Sequence, residues 1–518
     1  AKQRQFQIEQ AAAEMLREAG GPQLLERIAV LPFENYSGDA EQAYFVNGMT
    51  DALTAELQKI SNLVVISSSA TRGYRDTDKS LKDIARELGV DGLITGSVFR
   101  AGNDIRITAE LTDPDSLGSL WSETYDDTME NVIKVQGQAT LAIADAIRVA
   151  VTDEEQKRIA REKAVDPEAY DLYLKGKEAY LTYTEEGYPR AVSLLSEAVE
   201  IDQNFVEPYA WLSYALWVGT VWGSGGDAEA FEKARHAAQR ALEIDPDAAP
   251  GHYAMGWIHA TRDFDWRRAE EHFLRAAELS PNDPEVYNGL MRSYARVGRF
   301  SDALKASERL AELDPYALQA NANRAWVHMA AGETDVAIRI LNELAERYPE
   351  STIPSRYVYE VFESAEQYER VLAEIARFEE RWGEDEATIE AKIQALAFTG
   401  RHSEAQGLLE RFTREESETS SRNAFIAFGR AAMGDMDGAF ESFQKAAEQR
   451  DYWMGDLLLP RNAKLLGDDP RYWELVEQLN FPPLPPEHPA CEQQQRYLIN
   501  KRAEELIAER GLVPAEQN

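Results

Sequence analysis

Residues 266–315 read WRRAEEHFLRAAELSPNDPEVYNGLMRSYARVGRFSDALKASERLAELDP, and three of the rows in that stretch recur along the chain at a fixed interval. Ala269, Ala303 and Ala337 stand 34 residues apart, and Ala405 and Ala439 resume the row after one skipped period. Gly298, Gly332, Gly400 and Gly434 each precede such an alanine by five residues, while Pro246, Pro281, Pro315 and Pro349 follow one another at 35, 34 and 34. Each row has a physical job. Alanine fits where two helices approach closely, glycine where the first helix must stop and turn, and proline after the second helix, which it cannot extend. A helix hairpin of this size buries its apolar face only against a neighbouring hairpin. The rows therefore predict an all-α superhelical solenoid.

In period and in the placing of these residues the array resembles the tetratricopeptide repeat. Counting outward predicts about eight repeats over residues 166–455. Upstream, Ala234 and Ala191 are the equivalent positions, and their spacing of 43 adds nine residues to the second repeat, within WVGTVWGSGGDAEA at 217–230. In the sixth repeat Val371 replaces the alanine and Gly383 the closing proline, which predicts a bend or a weak seam. Residues 456–518 are expected to form a capping segment, with a proline-rich break and a last helix from Cys491 to Arg510.

Composition narrows the partners. The 518 residues carry a formal charge of −36, so nucleic acid, which needs a basic stripe to neutralise phosphates, is excluded as a partner of this segment. The acid excess is spread along helices such as EEQKRIAREKAVDPEAYD and reads as a solvated, repulsive surface. One cysteine, Cys491, cannot form an internal disulfide or a cysteine-based zinc cluster. Apolar runs such as IAVLPF at 28–33 fall short of the roughly 18 residues that span a bilayer. The chain opens on AKQRQFQIEQ without a methionine, and membrane tethering through residues preceding Ala1 is the expectation.

The first 150 residues follow another rhythm. IAVLPF, NLVVIS at 62–67, DGLITGSVFR at 91–100, IRITAELTD at 105–113 and SLWSETYDD at 119–127 read as strands, the third and fourth joined as a hairpin by AGND. Helices are expected over 41–59, 80–90 and 130–151, giving an α/β domain with a mixed sheet over residues 27–151, followed by a linker helix over 152–165. Residues 1–26 read as a leading helix whose Phe6, Ala11, Ala12, Met15 and Leu16 form a short apolar stripe suited to a juxtamembrane homodimer. Fragments cut near Asp166 are expected to fold separately.

The ordered string IAVLPFENYSGDAEQAYFVNGMTDALTAEL, then DIARELGVDGLITGSVFRAGNDIRITAELTD, then LWSETYD, resembles the TolB-like amino-terminal domain. The resemblance implies a bacterial module placed between a membrane helix and tetratricopeptide repeats, and so a periplasmic or other extracytoplasmic sensor or scaffold. A winged-helix, cyclase or kinase effector would lie on the cytoplasmic side. It implies no catalytic residues.

The sequence motifs of catalysis are missing as well. WGSGGD lacks the lysine and preceding strand of a phosphate loop, and HExxH, GxSxG and paired CxxC are absent. His252, His259 and His272 could present imidazoles together, but without cysteine or carboxylate spacing they read as packing residues. No catalytic residue, metal or cofactor is expected. Binding is more informative. With the small residue at position 20 of each repeat, positions 5 and 9 face the concave groove: Asn288 and Arg292, Ala322 and Trp326, Arg356 and Glu360, Ala424 and Phe428. Arg292 and Arg356 with Trp326 between them would hold the acidic or carboxylate end of a peptide or protein partner, with Trp217 and Trp222 as a secondary contact. A non-enzymatic signalling scaffold is the expectation. A free periplasmic adaptor is the alternative, and a hydrolase comes last.

Overall fold

The computed structural model describes residues 25–160, 164–182, 184, 186–222, 228–414 and 422–509. The leading stripe from Phe6 to Leu16 and residues 223–227 of the second-repeat insertion lie outside them, as does the side chain of Trp222.

Five strands run in the order β3 (Val64–Ile66), β1 (Arg27–Val30), β4 (Gly92–Ala101), β5 (Asp104–Thr112) and β6 (Ser119–Thr128). β1 is parallel to both β3 and β4, whereas β4, β5 and β6 are antiparallel, so the sheet is mixed. Period-2 alternation decides what each face buries. Ile28 and Val30 of β1 point into one core with Phe45, Met49 and Leu53 of helix α1 (Ala43–Leu57), while Ala29 meets Ile84 and Leu88 of α2 (Leu81–Leu88) on the other face. Ser80 caps α2 and Gly89 ends it in the left-handed region at φ 63°. Helices α3 (Val132–Ala146) and α4 (Asp153–Ile159) follow, α4 opened by a Thr152–Glu155 capping box. One element escaped the pattern. β2 (Glu34–Asn35) pairs with Ser97 and Val98 of β4, although its two polar residues look like part of a turn.

Among the described residues, sixteen helices from Pro167 to Glu448 then pair as eight hairpins. The sequence rows explain their geometry. Ala269, Ala303, Ala337, Ala405 and Ala439 are fully buried between the two helices of their hairpins, and the four repeat glycines take φ between 77° and 82°. The same turn occurs in the third and sixth repeats without glycine, at Phe264 (φ 51°) and Glu366 (φ 57°), where a side chain is strained. In the third repeat the first helix ends in a π turn, His259–Asp263, just before Phe264.

The array touches the α/β domain at two places. Tyr170 and Leu174 of the first repeat, with Phe205 beyond it, belong to the α1 core, and a Cβ on Gly48 of α1 would lie only 2.6 Å from Leu174. Arg100 holds Asp171 through paired bonds of 2.6 and 2.7 Å. At the second contact Ser67, just past edge strand β3, donates its backbone N–H to Leu313 O at 3.0 Å, and the hydroxyls of Ser67 and Ser69 bond Asp314. Asn282 donates to Ile60 O at 2.8 Å. The α/β domain is thus held by the first repeat and by the ends of the third and fourth.

After the eighth hairpin the chain forms a 3-10 turn (Tyr452–Asp456) and helices Pro460–Leu466, Pro470–Gln478 and Cys491–Glu509. Arg471 ties the third of these elements to Asp437 of the eighth repeat. The chain between the last two helices reaches much further back. Phe481 stacks on Trp266 at 4.8 Å between ring centres, and His488 stacks on Phe300 at 5.5 Å.

Candidate functional site

Counting sets positions 5 and 9 of the repeats toward the concave side, and in the centre of the array the residues there meet the chain's own return. Arg292 donates to Asn323 Oδ1 at 2.6 Å and to the Tyr452 hydroxyl at 2.7 Å, with its guanidinium 5.0 Å above the Trp326 ring. Asn323 donates in turn to Asn288 Oδ1 at 3.0 Å and accepts from the Tyr357 hydroxyl at 2.8 Å. One helical turn on, Arg296 reaches Asp456 at 2.8 Å and lies over the Tyr452 ring at 4.1 Å. Asn288, Arg292 and Trp326 are buried. Burial pulls the Arg292 guanidinium down, but Tyr452, Tyr357 and Asp456 hold it above its usual value. Its charge is committed inside the molecule.

The other expected groove residues divide. Phe428 is buried edge-on to Phe443, and Trp217 is buried with its indole N–H donated to Thr261 at 2.8 Å and its ring stacked on Trp257 at 4.8 Å. Arg356 and Glu360 are half-buried. Arg356 pairs with Asp385 at the start of the seventh repeat. Desolvation pushes the Glu360 carboxyl up to about 7 and that of Glu390, the next residue along the groove, up to about 8. Desolvation and the nearby Asp283 charge likewise raise Glu285 to about 7. Glu285, Glu360 and Glu390 thus form a set of desolvated, protonatable acids, of which Glu390 is buried.

Tyr452 and Asp456 are the participants that period counting misses, because they lie 160 residues from their partners and past the last helix of the eighth hairpin. Among the described residues no group of three His, Cys, Asp or Glu side chains is placed to hold a metal ion. His252 and His272 instead share a 2.9 Å bond between their Nδ1 atoms, and His259 faces Asp263 at 2.8 Å. Among the described residues no helix is long and apolar enough to cross a membrane.

Residues 24–142 match the family described as HilA/YgeH-like transcriptional regulator, second domain, and residues 323–351 match the tetratricopeptide repeat family. A protein of Rhizobium meliloti named putative adenylate cyclase 3 is 36% identical over 237 residues, which cover 45% of this chain and 40% of that protein. The transcriptional regulator HilA of Salmonella paratyphi A is 23% identical over 290 residues, covering 55% of this chain and 51% of that one. Among solved structures, a tetratricopeptide repeat protein from Parabacteroides merdae aligns with 54% of this chain and 99% of its own, at 14% identity and a TM-score of 0.38. The α/β domain is thus matched to a HilA-type second domain, and a TolB-like assignment is not among these matches. The chain spans about half the length or less of the curated relatives it matches.

Proposed function

We propose that this chain is a non-enzymatic protein–protein interaction scaffold within a bacterial signalling regulator, receiving a peptide or protein partner on its repeats and relaying that event through the α/β domain. One observation carries the reading: stacked hairpins clamp the α/β domain at two separated places, so a change in the curvature of the array strains that domain. Two relatives named for output activities, a putative adenylate cyclase and a transcriptional regulator, support a regulatory setting. The TolB-like resemblance supports an extracytoplasmic placement.

With Arg292 and Trp326 turned inward, partner contact is assigned to the sixth repeat, where Arg356 and Glu360 keep access to solvent. An incoming carboxylate would take the place of Asp385 on the Arg356 guanidinium, a planar fork suited to paired bonds. The test is affinity capture of partners by the full chain, followed by calorimetry with Arg356→Ala and Asp385→Asn. Loss of binding in the first and tighter binding in the second support the site. Unchanged affinity in both moves it elsewhere. Fusion of a compartment-dependent reporter to the native gene product tests the placement, and reporter activity confined to the cytoplasm would refute it.

A further inference from the structure

A cavity of about 270 Å³ opens at the seam between the α/β domain and the first repeat. Four parts of the chain converge on it. Pro32 follows β1, and Ser68, Thr71, Arg72 and Arg75 follow β3. Asn47, Thr50 and Asp51 come from α1, and Lys177, Glu178 and Thr182 from the first repeat. The chain passes from β1 to β3 on one side and then crosses back to β4 on the other. The cavity therefore sits at the carboxyl ends of the parallel pair β1 and β3, the end of an open α/β sheet at which ligands are held.

The charges in the crevice are unlike those of the rest of the molecule. Arg72, Arg75 and Lys177 against Asp51 and Glu178 leave a balance of +1 in a chain of −36. Asp51 is buried and already engaged, 3.0 Å from Arg72 and 3.3 Å from Lys177. Desolvation pushes its carboxyl up, but Lys177 and Arg72 together pull it below the usual value, so it remains an anion that fixes both cations in place. Glu178 is exposed at the rim. Arg75 differs from its neighbours. Its two partners are neutral oxygens, the Asn47 side-chain amide and, at 3.4 Å, the Phe33 carbonyl, so its positive charge is satisfied by dipoles alone.

We infer that this crevice binds a small metabolite bearing an oxyanion, carboxylate or phosphate, which bridges Arg75 and Arg72 while the Ser68, Thr71 and Thr182 hydroxyls take its polar body. The volume lies below the roughly 300–1,000 Å³ of drug-sized pockets, which restricts the occupant to a compact molecule. Charge-assisted bonds from arginine to an oxyanion are the strong contacts of such a site. Because one wall belongs to the α/β domain and the other to the repeats, the bound molecule would tie the two units together at the Gly48–Leu174 contact.

The full chain titrated calorimetrically with inorganic phosphate, with succinate and with glycerol tests this, alongside Arg75→Gln, Arg72→Gln and, as a control on the far side of the sheet, Arg106→Gln. Saturable binding of phosphate or succinate at one site per chain is expected, with glycerol inert and affinity falling about ten-fold or more in the two crevice variants. The preferred anion identifies which oxyanion the site takes. Arg75 is exposed and neutrally paired, so its variant keeps the fold and decides the matter even if Arg72→Gln leaves Asp51 too weakly matched to fold. Absence of saturable anion binding, equal binding of glycerol, or affinity that Arg75→Gln leaves unchanged would overturn the site.

Discussion

The third and fourth repeats and the sixth and seventh are built from the same hairpin, yet different things cover their concave faces. In the former, Tyr452 and Asp456 close over Arg292 and Arg296, Phe481 and His488 stack on Trp266 and Phe300 at the starts of the second helices, and the repeats share one continuous core with the first, second, fifth and eighth. The latter rest largely on small separate cores, Tyr359, Phe362, Val371 and Ile375 in one and Ile389, Ile393, Leu409 and Phe412 in the other. Their groove residues Arg356 and Glu360 stay half-open. A repeat array is ordinarily a chain of nearest-neighbour contacts. Here one stretch has been stapled by a distant segment and the other left to its neighbours, which separates stability from accessibility along a single groove.

The strongest way to break the contrast is Asp456→Ala. It leaves Arg296, 1% exposed, without its carboxylate, and stranding one member of a buried pair costs about 3–5 kcal/mol. Urea unfolding should register that loss, and hydrogen exchange should place it in the third and fourth repeats. A loss no larger than that of an exposed pair would mean that the staple is not holding them.

A second effect runs through protons. Glu285, Glu360 and Asp451 are raised to about 7 and Glu390 to about 8, each chiefly by desolvation. A carboxyl whose folded pKa is raised binds more protons folded than unfolded, so its contribution is complete below its unfolded value, 4.5 for the glutamates and 3.8 for Asp451, and is lost as pH rises through 7 to 8. His272, held down to about 4 by burial and the neighbouring histidines, acts oppositely, losing its contribution as pH falls from 6.5 toward 4. Urea midpoints should therefore decline between pH 6.5 and pH 8.5, and Glu390→Gln should flatten that decline. A midpoint that climbs over the interval would contradict the assignment.

Smaller substitutions sharpen the seam itself. Glu366→Gly relieves a left-handed residue at the turn of the sixth repeat and should stabilise by about 0.5–1 kcal/mol, offset in part by losing the exposed pair with Lys464. Arg356→Ala should cost under about 1 kcal/mol, because its partner Asp385 is itself partly solvated. Chemical denaturation of both variants would show whether the sixth repeat is as loosely bound as its separate core implies.

Much of this architecture is legible from residue spacing. The alanine, glycine and proline rows locate hairpins because each row answers a local demand of packing, turning or stopping, and the strands of the mixed sheet announce themselves by alternation. The same counting places Arg292 and Trp326 on the concave face. What it cannot supply is the occupant of that face, since Tyr452 and Asp456 obey no period and meet their arginines only in three dimensions. β2 is illegible for a related reason: Glu34 and Asn35 are strand only because Ser97 and Val98 offer an open edge. The seam cavity depends on Lys177 meeting Asp51, a contact between units that no local pattern encodes.

The bond from Ser67 to Asp314 spans 247 residues, and that distance has a meaning in time. At roughly 5–20 residues per second, a ribosome needs about 12–50 s to add the intervening chain. Through that interval β3, the outermost strand of the nascent sheet, has nothing along its free edge, and Gln58 and Ile60 carbonyls later taken by Asn282 face water. An uncovered edge recruits other strands. Against the expectation that a fragment cut near Asp166 folds separately, messages truncated before the fourth repeat should accordingly yield aggregates rather than a soluble amino-terminal unit, and the cell's burden in making this protein falls on chaperoning one strand for the better part of a minute.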